Sequence, residues 1–334
     1  MEKASLLVTG ATGFIGRNFL SYCASRGIAC RIIIRRFDAS VSSLADTHDV
    51  REGDLTTLVS NPSIFRGIDT VIHLAARVHN MKETSLSYVE KYRAENTDLT
   101  LTLAGAALKS GVRQFIFAST VKCMGDLGKP TAIFPEDARR RLSDPYAVSK
   151  FEAEEGLARL FVGHQSHRCV IIRMPMVYGP GNKGNMLPLL RAASLKIPLP
   201  LKAATGKRSM IYVGNASDAI AAAAVDRRLA LPSIDTFVIT DGVDCSSADL
   251  YDAIFREMNG GSGVFYVPEA LMRMPASVSG RWKQIVSRLF DEYRFSSEEF
   301  QKAYEWRPPY SPAEGIRETV NRYRRNVSRS QASI

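Results

Sequence analysis

A tyrosine and a lysine four residues apart are the clearest candidates for chemistry in this sequence. Tyr146 and Lys150 lie in the run Asp-Pro-Tyr-Ala-Val-Ser-Lys, and on a helix this spacing places both side chains on one face. A free tyrosine has a pKa of about 10, which makes it a poor acid or base near neutrality. An ammonium group one turn away, together with the positive charge of an oxidised cofactor, favours the phenolate, so the pair predicts proton exchange with a carbonyl or alcohol oxygen. The lysine is also suited to hold the hydroxyl groups of a cofactor ribose.

A surface pair of this spacing is common, so its meaning depends on the rest of the sequence. Two hydroxyl residues, Ser119 and Thr120, directly follow the apolar run Phe115–Ala118. The carboxyl ends of buried strands are where open α/β sheets bind ligands. We therefore expect one of these hydroxyls to bond the reacting oxygen. The predicted catalytic residues are Thr120, Tyr146 and Lys150.

A glycine-rich turn near the N-terminus predicts a dinucleotide site. The apolar run Leu6–Thr9 leads into the turn and then into a helical pattern. Gly10 permits the tight turn, Gly13 lets the backbone approach a pyrophosphate, and Gly16 allows close packing of helix on strand. The G-x-x-G-x-x-G spacing departs from the usual fingerprint, but a strand before it and a helix N-terminus after it suit phosphate binding. The predicted contacts are Gly10, Thr12, Gly13, Phe14, Ile15 and Gly16.

Two arginines follow the second predicted strand, where the coenzyme ribose is recognised. An acidic residue about 20 residues beyond the glycine turn would bond the 2′-hydroxyl of NAD. This sequence has Arg35 and Arg36 there, and guanidinium groups suit a 2′-phosphate and stacking on adenine. The pattern favours NADP, with NAD as the alternative and Asp38 as a displaced acid.

Short β-branched runs alternate with longer helical patterns in the first half of the chain. This alternation is typical of a parallel sheet covered on both faces and predicts a doubly wound, Rossmann-like α/β fold. After Arg173 proline and glycine become frequent, which predicts a smaller, interleaved C-terminal substrate lobe. The dinucleotide-binding domain is placed at 1–174 plus about 210–244, and the substrate lobe at 175–209 plus 245–334. The predicted strands are Leu6–Thr9, Cys30–Ile34, Asp69–His73, Gln114–Ala118, Cys169–Arg173 and Thr236–Thr240, and the longest helices are Tyr88–Lys109 and Tyr146–Leu160.

Composition and charge narrow the class of protein. The chain has 334 residues, 45% hydrophobic and 23% charged, as in globular proteins. No apolar run is long enough to span a bilayer and no leader pattern is seen, so a cytoplasmic protein is expected. The five scattered cysteines suggest no metal site. The net charge is +10, but the basic residues form no stripe interleaved with aromatic residues, which disfavours nucleic acid as a partner. The basic segment 270–290 is interpreted as a packed helix, with a membrane-surface contact as the alternative.

The motifs occur in the order found in one enzyme family. The chain resembles the extended short-chain dehydrogenases/reductases, and among them the NAD(P)-dependent nucleotide-sugar epimerase/dehydratase family, over nearly its whole length. Residues 119–126 and 177–185 are similar to a branch that includes UDP-hexose 4-epimerases and 4-reductases of UDP-4-keto-6-deoxy-N-acetylhexosamine, used in surface polysaccharide synthesis. Besides the glycine turn and the Tyr–Lys pair, the matching motifs are Gly53-Asp54-Leu55, His73-Leu74-Ala75-Ala76, Asn96, Ser119-Thr120, Arg173-Met174-Pro175, Tyr178-Gly179-Pro180-Gly181 and Trp306-Arg307-Pro308-Pro309.

The resemblance implies further contacts. On the substrate side it points to Arg208 and Asn185 as partners of a UDP diphosphate. It implies a largely structural role for Asn96 and a homodimer in which the two long helices form a four-helix bundle. The cofactor contacts that it implies are Asp54, Leu55, Leu74, Ala75, Ala76 and Pro175, and those placed near the sugar are Val78, Thr120, Lys122 and Tyr146.

Two reactions at sugar C4 fit these residues. The first is net reduction of a 4-keto sugar by NADPH, which the two arginines favour. The second is 4-epimerisation with a retained NAD. Thr120 stands where the family usually has Ser, which keeps the hydroxyl, whereas Lys122 and Met124 depart from the usual Thr and Tyr and change the floor of the sugar pocket. A dehydratase is disfavoured because Lys122 and Cys123 supply no acid/base pair, and a non-catalytic NADP sensor is a remote alternative. The sugar and nucleotide stay open.

Overall fold

Seven parallel strands form the central sheet of the computed structural model, which describes residues 5–38, 41–78, 86–125, 142, 144–184, 186–226, 233–273, 286 and 289–331. The strands of this sheet are β1 (Leu6–Thr9), β2 (Cys30–Ile34), β3 (Asp49–Glu52), β4 (Thr70–His73), β5 (Gln114–Thr120), β6 (Arg168–Met174) and β10 (Ile234–Val238). Four short strands lie outside it, namely β7 (Met176–Tyr178), β8 (Lys207–Arg208), β9 (Met210–Tyr212) and β11 (Cys245–Ser246). Pairing joins β7 to β9 and β8 to β11.

Helices cover both faces of the sheet and build the second lobe. The described α-helices are α1 (Phe14–Ser25), α2 (Leu55–Leu58), α3 (Leu86–Tyr92), α4 (Leu99–Lys109), α5 (Pro145–Phe161), α6 (Met186–Ser194), α7 (Val213–Val225), α8 (Ser247–Asn259), α9 (Glu269–Arg273), α10 (Glu298–Tyr304) and α11 (Pro312–Gln331). A π-helical segment, Arg93–Asp98, joins α3 to α4. Short 3₁₀ helices span Ser42–Leu44, Pro62–Phe65 and Val121–Met124.

The strand order β10-β6-β5-β4-β1-β2-β3 confirms the predicted doubly wound fold. After β3 the chain returns to the other side of β1 and enters β4. The connections that leave β1 and β4 therefore diverge, and the crevice between them at the carboxyl edge is where such folds bind ligands. The predicted strands and both long helices are present within a few residues, although β10 begins and ends two residues before the prediction.

The apolar strands are explained by burial on both faces. Every residue of β1, β2, β4 and β6 is buried. One face packs against α1 and α7 through side chains such as Phe19 and Ile220. The opposite face packs against α4 and α5 through Leu103 and Leu157. These two layers hold the carboxyl edge of the sheet, which carries the candidate site, in a fixed shape.

A buried carboxylate joins the second lobe to the sheet. Asp241, just beyond β10, accepts hydrogen bonds from the Tyr178 hydroxyl at 2.8 Å, the Tyr212 amide at 2.9 Å and the Asn215 amide group at 2.7 Å. These partners lie on β7, β9 and α7. The lobe has its own core, to which Tyr178, Leu190, Tyr251, Ile254 and Val320 belong. The domain boundaries given above stay a prediction.

Candidate active site

Close backbone contacts restrict which residues fit the turn between β1 and α1. Gly10 has a φ of +72°, and a Cβ atom there would lie 2.5 Å from the amide nitrogen of Ala75. A Cβ atom on Gly16 would collide with the carbonyl oxygen of Gly10. Side chains are therefore excluded at both positions, as the sequence predicted, and the turn lies directly against the segment that follows β4.

The N-terminus of α1 is open to a ligand. Gly13 is the N-cap in an extended conformation, no side chain caps the helix, and the first turn contains no acidic residue. Thr12 and Gly13 are exposed. Free N–H groups and the positive end of the helix dipole are thus available to an anion, which is the arrangement that pyrophosphate binding requires. Phe14 and Ile15, in contrast, pack partly into the two neighbouring cores.

Arg35 and Arg36 are both exposed at the end of β2, beside the glycine turn in the sheet. Asp54 lies close to this pair. It caps α2 by accepting from the Thr56 amide at 2.8 Å, and the Thr56 contacts, with a smaller contribution from Arg35, lower the pKa of its carboxyl. Leu55 is buried in the core beneath. Two guanidinium groups are thus exposed at the carboxyl end of β2, and their contact with a ribose 2′-phosphate stays a prediction.

Helix α5 carries Tyr146 and Lys150 and is fixed at its start by Asp144. The carboxylate of Asp144 accepts from the Tyr146 amide at 3.0 Å, and Pro145 occupies the first helical position. Lys150 is fully buried, and its Nζ lies 3.9 Å from the centre of the Phe117 ring. Burial lowers the pKa of Lys150 to about 8. Within the described ranges its ammonium has no hydrogen-bond partner.

The protein groups around Tyr146 favour the neutral phenol. Burial raises the pKa of its hydroxyl, and the charges of Cys123 and Asp144 raise it further. The predicted effect of Lys150 acts together with the positive charge of a bound nicotinamide, and it stays a prediction. The edge of the Tyr92 ring packs against Tyr146 with the ring centres 6.2 Å apart.

The side chains of the two hydroxyl residues that end β5 lie in different surroundings. Ser119 donates to the carboxylate of Glu154 in the interior. Thr120 instead accepts from the Lys122 amide at 3.3 Å and lies at the carboxyl edge of the sheet. Ser119 is thus engaged by a buried carboxylate, and the contact of Thr120 with a reacting oxygen stays a prediction.

A buried ion pair beneath the site was missed by the sequence analysis. Arg173, at the end of β6, donates from Nε to both oxygens of Glu154 at 3.0 and 3.1 Å and from Nη2 at 2.5 Å. Both side chains are about 95% buried, with exposed fractions of 6% and 5%. Glu154 lies one helical turn after Lys150, and that four-residue spacing is the signal that could have revealed it.

Asn96 connects the ends of two elements, in line with the implied structural role. Its carboxamide accepts from the Arg77 amide at 2.8 Å and donates to the Arg77 carbonyl at 3.1 Å and to Ser149 at 3.0 Å. The Thr100 hydroxyl donates a hydrogen bond to the main-chain carbonyl of Asn96, within the π-helical segment, at 2.6 Å. The segment after β4 is thereby held against α5.

The remaining predicted contacts are more scattered. Leu74, Ala75 and Ala76 follow β4 at the crevice, and Pro175 is buried between β6 and β7. Val78 is 67% exposed, and Arg208 is half-buried on β8 opposite Cys245. Lys122 bonds Asp144 at 2.7 Å. Asn185 lies outside the described residues.

Comparison with known proteins identifies the family. The sequence profile of the NAD dependent epimerase/dehydratase family matches residues 6–234, so the chain belongs to this family. A UDP-glucose 4-epimerase of Vibrio cholerae is 30% identical over 320 residues, covering 96% of this chain and 95% of that protein. The structure of MoeE5 in complex with UDP-glucose and NAD is similar with a TM-score of 0.73 and 22% identity, over 97% of this chain and 99% of that chain. The structure of a UDP-N-acetylglucosamine 4-epimerase from Bacillus cereus is similar with a TM-score of 0.71 and 17% identity, over 96% of this chain and 97% of that chain.

The described residues fit a nicotinamide dinucleotide. The N-terminus of α1 next to the glycine turn is exposed and offers free N–H groups, and the buried Lys150 ammonium has donors suited to ribose hydroxyls. Among the described residues, no helix is long and apolar enough to cross a membrane, and no three His, Cys, Asp or Glu side chains form a metal-ligating group.

Glu154→Gln is expected to destabilise the protein by about 3–5 kcal/mol, because it removes the carboxylate that balances the buried charge of Arg173. Urea denaturation followed by circular dichroism measures the loss. The matched control is Glu298→Gln, which removes an exposed partner of Lys302 at 3.8 Å and is expected to cost less than about 1 kcal/mol. Equal costs for the two variants would show that the buried pair does not hold the site together.

Proposed function

We propose that the protein is an NADPH-dependent 4-ketoreductase of a UDP-hexose or UDP-N-acetylhexosamine, acting in surface polysaccharide synthesis. The observation that carries the proposal is the arrangement of three side chains: Thr120 ends β5 at the carboxyl edge of the sheet, and Tyr146 lies in the first turn of α5, one turn before the buried Lys150. A carbonyl that accepts a hydride needs a proton donor at the same moment, and a neutral phenol is that donor.

Each catalytic side chain has a distinct task in this reaction. When bound, the reduced nicotinamide supplies the hydride that adds to C4 of the sugar. Thr120 donates a hydrogen bond to the C4 oxygen and orients it, and Tyr146 transfers its phenolic proton to that oxygen. Lys150 holds the ribose hydroxyls and stabilises the phenolate that remains, before a proton from solvent restores the phenol. The product is the C4 alcohol.

Epimerisation with a retained NAD is the second candidate, favoured by the similarity to the Vibrio cholerae UDP-glucose 4-epimerase. It begins by oxidising an alcohol, so Tyr146 would have to start as a base. The raised pKa of Tyr146 and the exposed arginines Arg35 and Arg36 support reduction instead. A reductase consumes NADPH in proportion to product, whereas an epimerase interconverts two UDP-sugars with no net change in coenzyme. A non-catalytic sensor would have no use for Thr120, Tyr146 and Lys150 together.

The nucleotide part of the substrate is proposed from similarity. MoeE5 was solved with UDP-glucose and NAD, and the Vibrio cholerae relative is named for a UDP-sugar. We assign Arg208 and Asn185 to the diphosphate, since a guanidinium group forms paired hydrogen bonds with phosphate oxygens. Val78, at the end of the segment that Asn96 holds, is assigned to the sugar.

Tyr146→Phe is expected to lower kcat by about 10²–10⁴-fold while coenzyme binding survives, because only the proton donor is removed. Thr120→Ala should fall between that variant and the wild type, Thr120→Ser should be nearly neutral, and Lys150→Met should weaken both activity and coenzyme affinity. NADPH oxidation with UDP-4-keto-6-deoxy-N-acetylhexosamine measures all four. Tyr266→Phe, an exposed tyrosine, is the control. Wild-type turnover in Tyr146→Phe would rule out the proton-transfer role.

The double variant Arg35→Ala/Arg36→Ala is expected to weaken NADPH binding by roughly tenfold or more and to leave NADH binding nearly unchanged, since only NADPH carries the 2′-phosphate. Coenzyme fluorescence titrations give both affinities. The control is Arg66→Ala/Arg307→Ala, which removes the same charge from exposed positions elsewhere. Equal or tighter binding of NADH than NADPH by the wild type would contradict the assignment.

We also propose a homodimer through α4 and α5. An open cleft of about 490 Å³ runs beside the outer face of α4, lined in part by Leu101, Gly105 and Ala106. A Cβ atom at Gly105 would touch nothing within 4 Å, so the folded chain tolerates a side chain there. Light scattering is expected to give about twice 36.9 kDa for the wild type and for Gly105→Ala, and a monomer for Gly105→Glu. A monomeric wild type at micromolar concentration would contradict this.

A further inference from the structure

An ion pair beside Tyr146 is not used by the reaction described above. Lys122 donates from Nζ to Asp144 at 2.7 Å, although the two residues lie 22 positions apart in the chain. The Lys122 side chain is half exposed and that of Asp144 one-quarter exposed. The ammonium group also lies 5.8 Å from the centre of the Tyr146 ring.

Each partner is attached to a different half of the catalytic machinery. The other oxygen of Asp144 accepts the amide of Tyr146 and so fixes the first turn of α5. The amide of Lys122 donates to the hydroxyl oxygen of Thr120. The ion pair therefore links the residue that hydrogen-bonds Thr120 to the residue that caps the helix of Tyr146.

The pair also places one charge of each sign close to the phenol. Tyr146 is half-buried, so nearby charges act on its hydroxyl through a dielectric lower than that of water. The negative charge of Asp144 opposes the phenolate, and the ammonium group of Lys122 lies over the ring. The other titratable or charged groups around Tyr146 are Lys150 on its own helix, Cys123 on the 3₁₀ helix, Tyr88 and Tyr92 on α3, and Arg77 after β4.

We propose that Lys122 is a positioning residue for proton transfer: held by Asp144, it fixes the Thr120 segment against α5 and places a compensating positive charge beside Tyr146. The proposal rests on the proposed function and deepens it. Lys122, which departs from the residue usual in the family, then serves the proton transfer rather than binding of the sugar.

Substitutions of Lys122 and Asp144 distinguish a positioning role in proton transfer from a purely structural role. Lys122→Met removes the cation and keeps most of the stem, Lys122→Arg restores a cation, and Asp144→Asn keeps an oxygen for the cap but removes the anion. Lys302→Met, which breaks an exposed pair on α10, is the matched control. Lys122→Met is expected to lower kcat roughly tenfold with KM and NADPH affinity nearly unchanged, and Lys122→Arg to recover most of the loss.

The ionisation of Tyr146 supplies the sharper readout. The alkaline limb of kcat does not report it, because Lys150, with a pKa of about 8, loses its proton at lower pH than Tyr146. Loss of the cation raises the pKa of Tyr146, whereas loss of the anion in Asp144→Asn lowers it. Each displacement is expected to be about half a pH unit. A purely structural pair would move both variants in the same direction or neither.

A titration without turnover keeps the test independent of the substrate. The phenolate absorbance of each variant, minus that of the same variant carrying Tyr146→Phe, reports the ionisation of Tyr146 directly. Opposite displacements support the proposal. It is overturned if Lys122→Met matches Lys302→Met, if both displacements have one sign, or if Lys122→Met raises KM alone, which would make Lys122 a sugar contact. A wild type that binds NADPH but reduces no UDP-keto sugar would instead reject the proposed function, while the absorbance titration still decides the role of Lys122.

Discussion

The carboxylate of Glu154 accepts hydrogen bonds from Arg173 at the end of β6 and from Ser119 at the end of β5, and its own helix carries Lys150 one turn earlier. Two strands and the catalytic helix thus meet at one buried anion. Thr120 directly follows Ser119, and Tyr146 lies one turn before Lys150. The relative positions of the hydroxyl, the phenol and the ammonium group all depend on this contact.

The same contact sets the charge balance of the interior. Arg173 and Lys150 supply two positive charges close to a single carboxylate, and burying a charge without a partner is costly. Burial, rather than this imbalance, lowers the pKa of Lys150 to about 8, and the nearby Glu154 opposes that shift. An anion arriving at the carboxyl edge of the sheet, whether a phenolate or the phosphates of a ligand, meets an environment that already carries excess positive charge.

The features that sequence could predict are those dictated by local sterics and periodicity. Gly10 and Gly16 stand where a Cβ atom has no room, and β1 and β2 are continuous apolar runs with the predicted bounds. The strand β3 was not predicted, because it is short, polar and half exposed at the edge of the sheet. The ion pair of Glu154 and Arg173 was missed for another reason: the two residues belong to different elements, and although Glu154 lies one turn after Lys150, the sequence does not report which cation it meets in the interior. The ionisation of Tyr146 depends on the burial of its hydroxyl, which a sequence does not measure.

The position of β10 has a consequence for how this chain acquires its structure during synthesis. β10 is the edge strand that completes the sheet beside β6, yet α6, β7, β8 and β9 all lie between the two strands in sequence. When β6 leaves the ribosome its backbone edge has no neighbour on that side, and it stays open until about 60 further residues have been made. An open edge of buried, β-branched residues is a site for wrong pairing between nascent chains. The free edge of β6 is therefore covered only after the residues between β6 and β10 have been made.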